Sequence, residues 1–295
     1  MKELNGTGVA MITPFTADNQ VDFTAIEQLV EGYIAAGIDF LVVLGTTAET
    51  ATLSPLEQTQ IAAKVAAVTK GRIPLVLGKG GNNTLALVRR IQSTDFTGYS
   101  AILSVCPYYN RPNQEGIFQH FSAVAQASPL PVILYNVPSR TGATIDNTTV
   151  IRLAEHHKNI IGIKDATGDL VQGKALIEAL PKDFLVTSGD DATALELVAA
   201  GGCGAISVIA GAFPDVFSSM LHLAKNNDFI QAKALESLLA ELTELIFKEG
   251  NPTGLKALMH LQNKCENHLR LPLVPASSSL QREIEQALEA VTMKC

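Results

Sequence analysis

The chain has no tryptophan, few cysteines and no surplus of positive charge, and each shortage removes a class of protein. Its 4 cysteines, Cys106, Cys203, Cys265 and Cys295, lack the spacing of a zinc site or of a disulfide-stapled scaffold. They fit a reducing cytoplasm, as buried or incidental thiols. Lys and Arg number 22 against 29 Asp and Glu, and the net charge of -7 argues against nucleic acid or an anionic membrane surface as the main partner. A small anionic substrate needs only local positive charge and is not excluded. No run of about 18 apolar residues is present, so no transmembrane helix is expected. The start, Met1-Lys2-Glu3-Leu4-Asn5-Gly6, lacks the apolar stretch of a signal peptide, and a cytoplasmic location is the expectation. No G-x-G-x-x-G follows the first apolar run, which weakens a dinucleotide-binding reading. Gly78-Lys79-Gly80-Gly81-Asn82 lacks the Walker spacing and reads as a tight strand-to-helix loop.

Core material, by contrast, is plentiful. Hydrophobic residues make up 47% of the 295, enough for one large domain with or without an appendage. Short apolar runs at 8–13, 38–44, 73–77, 99–105, 131–135, 160–164, 184–187 and 204–208 read as strands. Between them lie helical patterns near 22–36, 56–69, 84–94, 113–127, 147–156, 170–180 and 192–200, with one more at 214–225. Most of the strands are continuous apolar runs rather than alternating ones, as expected when both faces are buried. Eight such units in about 225 residues fit a closed (β/α)8 TIM barrel better than an open doubly wound sheet. Beyond about Asn226 only helices are expected, at 229–247, 252–266 and 280–291. Leu271-Pro272-Leu273-Val274-Pro275 forms an extended linker before the last of them. The predicted division is a catalytic barrel over 1–225 and a three-helix extension over 226–295, packed on the barrel or on another subunit.

In such a barrel the chemistry sits at the C-terminal ends of the strands. The sixth run, Ile160-Ile161-Gly162-Ile163, ends in Lys164, where a lysine is costly. Burial strips an ammonium of hydration and favours the neutral, nucleophilic amine that Schiff-base chemistry with a carbonyl needs. A lysine snorkelling its head into water is the plainer alternative. Other strand ends add polar groups to the same rim: Thr46 and Thr47, Tyr108 and Tyr109, Tyr135, Ser139 and Arg140, Asp190 and Asp191. A phenol with nearby hydroxyls passes protons, amides and hydroxyls hold a carboxylate, and an arginine grips a second carboxylate in two-pronged fashion. Singly these residues have other uses. Thr46 and Thr47 serve as helix caps, the Tyr108–Tyr109 pair as interface aromatics, Arg140 as a solvated loop charge, and Asp191 is expected to cap the next helix. Their joint placement on one rim beside a strand-end lysine favours the catalytic reading.

Five segments, in order, carry a resemblance that spans essentially the whole chain. They are Gly45-Thr46-Thr47-Ala48-Glu49, Pro107-Tyr108-Tyr109-Asn110-Arg111-Pro112, Tyr135-Asn136-Val137-Pro138-Ser139-Arg140-Thr141-Gly142, Gly162-Ile163-Lys164-Asp165-Ala166-Thr167-Gly168 and Ser188-Gly189-Asp190-Asp191-Ala192. The sequence resembles the class I pyruvate aldolases of the N-acetylneuraminate lyase superfamily, and within it most closely the dihydrodipicolinate synthase family. The resemblance implies that Lys164 forms an imine with pyruvate, whose enamine attacks L-aspartate 4-semialdehyde to give 4-hydroxy-tetrahydrodipicolinate on the route to diaminopimelate and lysine. It assigns Tyr135 as the central acid/base, with Thr46 and Tyr109 completing the proton relay and Tyr109 lent by a neighbouring subunit. Thr47 would hold the pyruvate carboxylate and Arg140 that of the semialdehyde, while the backbones of Gly189 and Ile206 would line the pocket. No metal or organic cofactor is implied, because the lysine is the electron sink. The family is usually a homotetramer, a dimer of dimers.

Two departures, Ala48 for a glycine and Asp165 for a glutamate, touch no group in that scheme. A third has consequences. Lysine-inhibited members place histidines and a glutamate where this chain has Pro55, Gln58 and Ala86, although Asn82 and Tyr108 match, so weak or absent lysine inhibition is expected. The nearest competing readings are N-acetylneuraminate lyase or a keto-deoxy sugar-acid aldolase, which would need polyol-binding groups in place of Arg140. A non-catalytic oxoacid-binding barrel is the alternative from another class.

Overall fold

In a computed structural model that describes residues 2–293, eight short parallel strands close into a barrel in chain order. Cys295 lies outside the described residues. The barrel half of the chain runs β1 (Gly6–Ala10), α1 (Phe23–Ala35), β2 (Phe40–Val43), α2 (Pro55–Thr69), β3 (Leu75–Gly78), α3 (Thr84–Gln92), β4 (Ala101–Val105), α4 (Gln114–Ala127) and β5 (Val132–Asn136). It continues through α5 (Pro138–Thr141), α6 (Asn147–His156), β6 (Ile160–Asp165), α7 (Leu170–Ala179), β7 (Leu185–Ser188), α8 (Ala194–Ala199), β8 (Gly204–Ser207) and α9 (Pro214–Lys225). Three further helices follow: α10 (Phe229–Lys248), α11 (Thr253–Leu261) and α12 (Ser278–Thr292). Every strand and long helix expected from the sequence is present, with ends displaced by a few residues. The additions are the one-turn helix α5 and short 3-10 turns such as Thr46–Ala48 and Ile209–Gly211.

Local chemistry explains the boundaries. Asp22 caps α1 by accepting from the amides of Thr24 and Ala25. Ser54 and Glu57 form a reciprocal capping box at α2, with Pro55 at its first position. The second helix of the extension stops at Leu261 instead of continuing to 266, and Asn263 there takes a left-handed backbone, φ 57°. At the closing seam, Gly6 and Thr7 of β1 pair with Gly204 and Ala205 of β8. A Cβ on Gly204 would fall 1.9 Å from the Gly6 carbonyl oxygen, so only glycine lets these two strands meet.

The barrel interior is filled by alternate strand residues: Phe40 and Val42 of β2, Ala101 and Leu103 of β4, Ile133 and Tyr135 of β5. Their neighbours face the surrounding helices, Leu41 and Val43 in one outer cluster and Ile102, Val132 and Leu134 in another. Residues of the extension join the first outer cluster. Leu239, Leu242 and Ile246 of α10 and Leu255 and Met259 of α11 share it with Phe217 and Met220 of α9 and with Val9 of β1. The extension therefore packs on the barrel through a continuous apolar core.

Candidate active site

A cavity of about 220 Å³ opens at the C-terminal mouth of the barrel. It is lined by Thr46 and Thr47 after β2, Tyr135 of β5, Ser139 and Arg140 of α5, Lys164 of β6, Gly189 and Asp190 after β7 and Asn251 before α11.

Lys164 reaches this cavity because β6 is irregular. Its register with β5 passes from Val132↔Ile160 directly to Ile133↔Gly162, so two residues of β6 face one of β5. Ile160 and Ile163 both pack against helices, while Ile161 between them points into the barrel. Outward residues are thus three apart where a regular strand gives two. A regular strand with Ile161 inward would also turn Ile163 inward and send Lys164 out to the helices. The bulge reverses that phase, and Lys164 lies beside Tyr135 in register with its Nζ 4.6 Å from the ring centroid. The lysine is 5% exposed, and among the described residues its amine makes no hydrogen bond and no ion pair. It is a buried amine left open to a ligand.

Gly189 makes room for that side chain. A Cβ there would lie 2.7 Å from Lys164 Cε and 2.9 Å from its Cγ. The Gly189 amide donates to the Asp165 carbonyl at 2.7 Å, which fixes the loop after β7 against β6. Tyr135 is buried at the end of β5, and neither its phenol nor the Thr46 hydroxyl hydrogen-bonds to any described residue. Both groups face the cavity.

Thr47, buried one residue further along the 3-10 turn, accepts at Oγ1 from Asn251 Nδ2 at 2.9 Å. Arg140 donates from Nη2 to the Asn251 carbonyl at 3.0 Å. Pro138 starts the single turn that carries Arg140, and Gly142 ends it with φ 68°. What reads as a loop in the sequence is therefore a rigid helical turn.

The structure departs from the sequence expectation at two residues, Ile206 and Asp191. Ile206 is buried within the barrel interior cluster and does not line the cavity, whose wall there is Val208. Tyr109 is 89% exposed and absent from the cavity of its own chain. Asp191 does not cap the helix after it. Its carboxylate turns to the turn after β8 and accepts from the amides of Val208 at 3.1 Å and Ile209 at 2.9 Å. Burial pushes this carboxyl above the usual carboxylate range, opposed by the Ser207 hydroxyl, by those amides and by the charge of Lys164. Asp190 closes the turn before α8, accepting from the Ala192 amide and the Thr193 hydroxyl.

Asn251, Glu49 and Lys256 are the polar residues near the site that sequence reading passed over. Glu49 follows the 3-10 turn in a left-handed conformation, φ 54°, and its carboxylate accepts from Lys256 Nζ and from the Arg270 amide. The break Glu249-Gly250-Asn251-Pro252 between two helical patterns was the available signal. The three thiols described, Cys106, Cys203 and Cys265, are free, and burial raises them to about 12, about 11 and about 11. Such thiols are poor nucleophiles at neutral pH.

A closed parallel barrel with a buried, unpaired lysine at the mouth of its sixth strand, ringed by hydroxyls and an arginine, is a barrel equipped for carbonyl chemistry on a lysine amine. More narrowly, the chain belongs to the dihydrodipicolinate synthetase family, whose pattern it matches over residues 3–291. It is 47% identical over 292 residues to a 4-hydroxy-tetrahydrodipicolinate synthase of Cytophaga hutchinsonii, covering 99% of this chain and 98% of that protein. It is 48% identical to a protein of the same name from Flavobacterium psychrophilum, covering 97% of each. Among solved structures, the chloride-inhibited dihydrodipicolinate synthase of Acinetobacter baumannii in complex with pyruvate superposes with a TM-score of 0.95 at 42% identity, over 98% of this chain and 99% of that one.

Proposed function

We propose that this protein condenses pyruvate with L-aspartate 4-semialdehyde through an imine on Lys164, giving 4-hydroxy-tetrahydrodipicolinate in the diaminopimelate and lysine pathway. The observation that carries this reading is the open Lys164 amine, packed against Tyr135 inside a cavity that also presents Thr47 and Arg140. Residues 1–225 are read as the catalytic barrel and residues 226–295 as its extension.

The lysine nitrogen adds to the keto carbon of pyruvate, and water leaves as the C=N bond forms. Loss of a methyl proton gives the enamine, with the imine nitrogen taking the electron pair. The enamine carbon attacks the aldehyde of the second substrate, and its oxygen takes up a proton. The amino group of the product then attacks the imine carbon and expels Lys164, closing the ring. Every step moves protons, and the Tyr135 phenol is the group beside the lysine able to carry them, with Thr46 next in the relay. Thr47 takes the pyruvate carboxylate by hydrogen bond and Arg140 that of the semialdehyde by charge and fork geometry. The Gly189 backbone lies alongside the lysine chain, and Ile206 supports the pocket from the layer below. The sugar-acid lyase alternative is not favoured, since the relatives reported above carry the synthase name and an arginine occupies the rim.

Tyr109 completes the relay in a neighbouring subunit's cavity. This fits its exposure, and its backbone takes the left-handed conformation, φ 73°, that a non-glycine residue rarely adopts. A homotetramer arranged as a dimer of dimers, in the cytoplasm, follows from the same reading. Among the described residues no helix is long and apolar enough to cross a membrane. Borohydride reduction in the presence of pyruvate tests the reaction. A single pyruvate-derived adduct mapped to Lys164, absent from Lys164→Ala, is expected. No adduct on the folded protein would leave an oxoacid-binding barrel as the better reading.

A further inference from the structure

Two side chains proposed to hold substrate carboxylates, Thr47 and Arg140, come from opposite sides of the barrel mouth, after β2 and after β5. One residue of the extension touches both. Asn251 gives its side-chain N–H to Thr47 Oγ1 at 2.9 Å, and its backbone carbonyl accepts from Arg140 Nη2 at 3.0 Å. We infer that Asn251 is a positioning residue for substrate binding, and that its side chain acts by turning the Thr47 hydroxyl proton into the cavity. This rests on the function proposed above.

The argument follows from hydrogen-bond polarity. A hydroxyl has one proton to give and two lone pairs to accept with. In the observed orientation the Asn251 amide N–H occupies a lone pair of Thr47 and its Oδ1 is buried without a partner among the described residues, so the group facing Thr47 is a donor and does not receive the hydroxyl proton. Thr47 makes no other side-chain hydrogen bond among the described residues, so its proton is left for the cavity that it lines. A carboxylate, which only accepts, is the complement of that arrangement. Asn251 is itself held in place. Five residues later the buried Lys256 is anchored to Glu49, two residues after Thr47, so the tether and the threonine move as one unit. Preorganised donors cost nothing to orient when the ligand arrives.

Asn251→Ala removes the constraint on the hydroxyl and raises the KM for pyruvate about three- to tenfold, the value of one hydrogen bond, with kcat less affected. In a Thr47→Val background the same change adds nothing, while in Thr47→Ser, which keeps the hydroxyl, the full effect returns. A merely structural asparagine predicts equal, additive losses in all three backgrounds, and that result would overturn the inference. Asn251→Asp preserves the shape should the alanine variant not fold. Its carboxylate can only accept, so it draws the Thr47 proton away from the cavity and raises pyruvate KM more than the alanine does. An unchanged KM in that variant, with an unchanged thermal midpoint, would also overturn the inference. Trapping with borohydride on the unaltered protein separates the two levels. An adduct at Lys164 with additive losses sinks only the role of Asn251, whereas no adduct sinks both.

Discussion

Lys256 and Glu49, 207 residues apart, form an ion pair at 2.5 Å with neither side chain exposed. The lysine also donates to the His268 carbonyl and lies 4.3 Å from the Phe15 ring centroid. Burial pulls its pKa below the usual lysine range, against the opposing pull of Glu49. The pair ties the extension to the turn that carries Thr46 and Thr47. Lys256→Met leaves Glu49 buried without a cation and is expected to destabilise the fold by about 3–5 kcal/mol. The double variant Lys256→Met with Glu49→Gln should recover part of that loss, and chemical denaturation of the two measures it. Equal stabilities for the single variant and the unaltered protein would show that the pair contributes nothing.

Gly189→Ala places a methyl group 2.7 Å from Lys164 Cε. The lysine chain must shift by a few tenths of an ångström or more. Because imine formation depends on alignment at that scale, activity should fall on the order of 100-fold while the thermal midpoint changes by only a few degrees. Steady-state kinetics beside a melting curve check both halves. Full activity in the variant would contradict the close packing seen here.

The pH dependence of stability should carry the signature of His120. This side chain is buried, hydrogen-bonds at Nδ1 with the Thr84 hydroxyl at 2.8 Å, and is pushed by desolvation from 6.5 down to about 4. The folded protein holds it neutral while the unfolded chain takes up a proton below about 6.5, so the unfolded state binds more protons between those values. Stability is full above pH 6.5 and falls through pH 4, by up to about 3 kcal/mol from this one group. In His120→Gln the slope of unfolding free energy over that window should flatten, and an unchanged slope would assign the effect elsewhere.

L-Lysine should inhibit weakly or not at all. Gln58 is committed to its own loop, donating to the carbonyls of Leu53 and Thr50, while Pro55 and Ala86 carry no side-chain polar group. Asn82 is held to the Tyr108 carbonyl. No side chain at the three altered positions supplies a charge for an amine. Titration of lysine against initial rate decides the matter, and half-inhibition at low-millimolar lysine or below would contradict it.

By itself the sequence determined the order and nature of nearly every element. Uninterrupted apolar runs alternating with 3.6-period helices leave few arrangements other than a barrel. The residues beside strand ends fall on one rim because parallel strands all point the same way. Local pattern could not decide which face of its strand Lys164 takes. Counting alternately from Ile161 turns the lysine outward, and the bulge at Ile160–Gly162, set by pairing with β5, turns it in. Glycine at 162 is part of that geometry, since a Cβ there would lie 2.6 Å from Leu185. Nor could local pattern join Thr47 to Asn251 or Glu49 to Lys256, each pair more than 200 residues apart. Their contact exists only because α10 and α11 bury an apolar face on the barrel, and hydrophobic burial, which has no preference for sequence distance, brings them there.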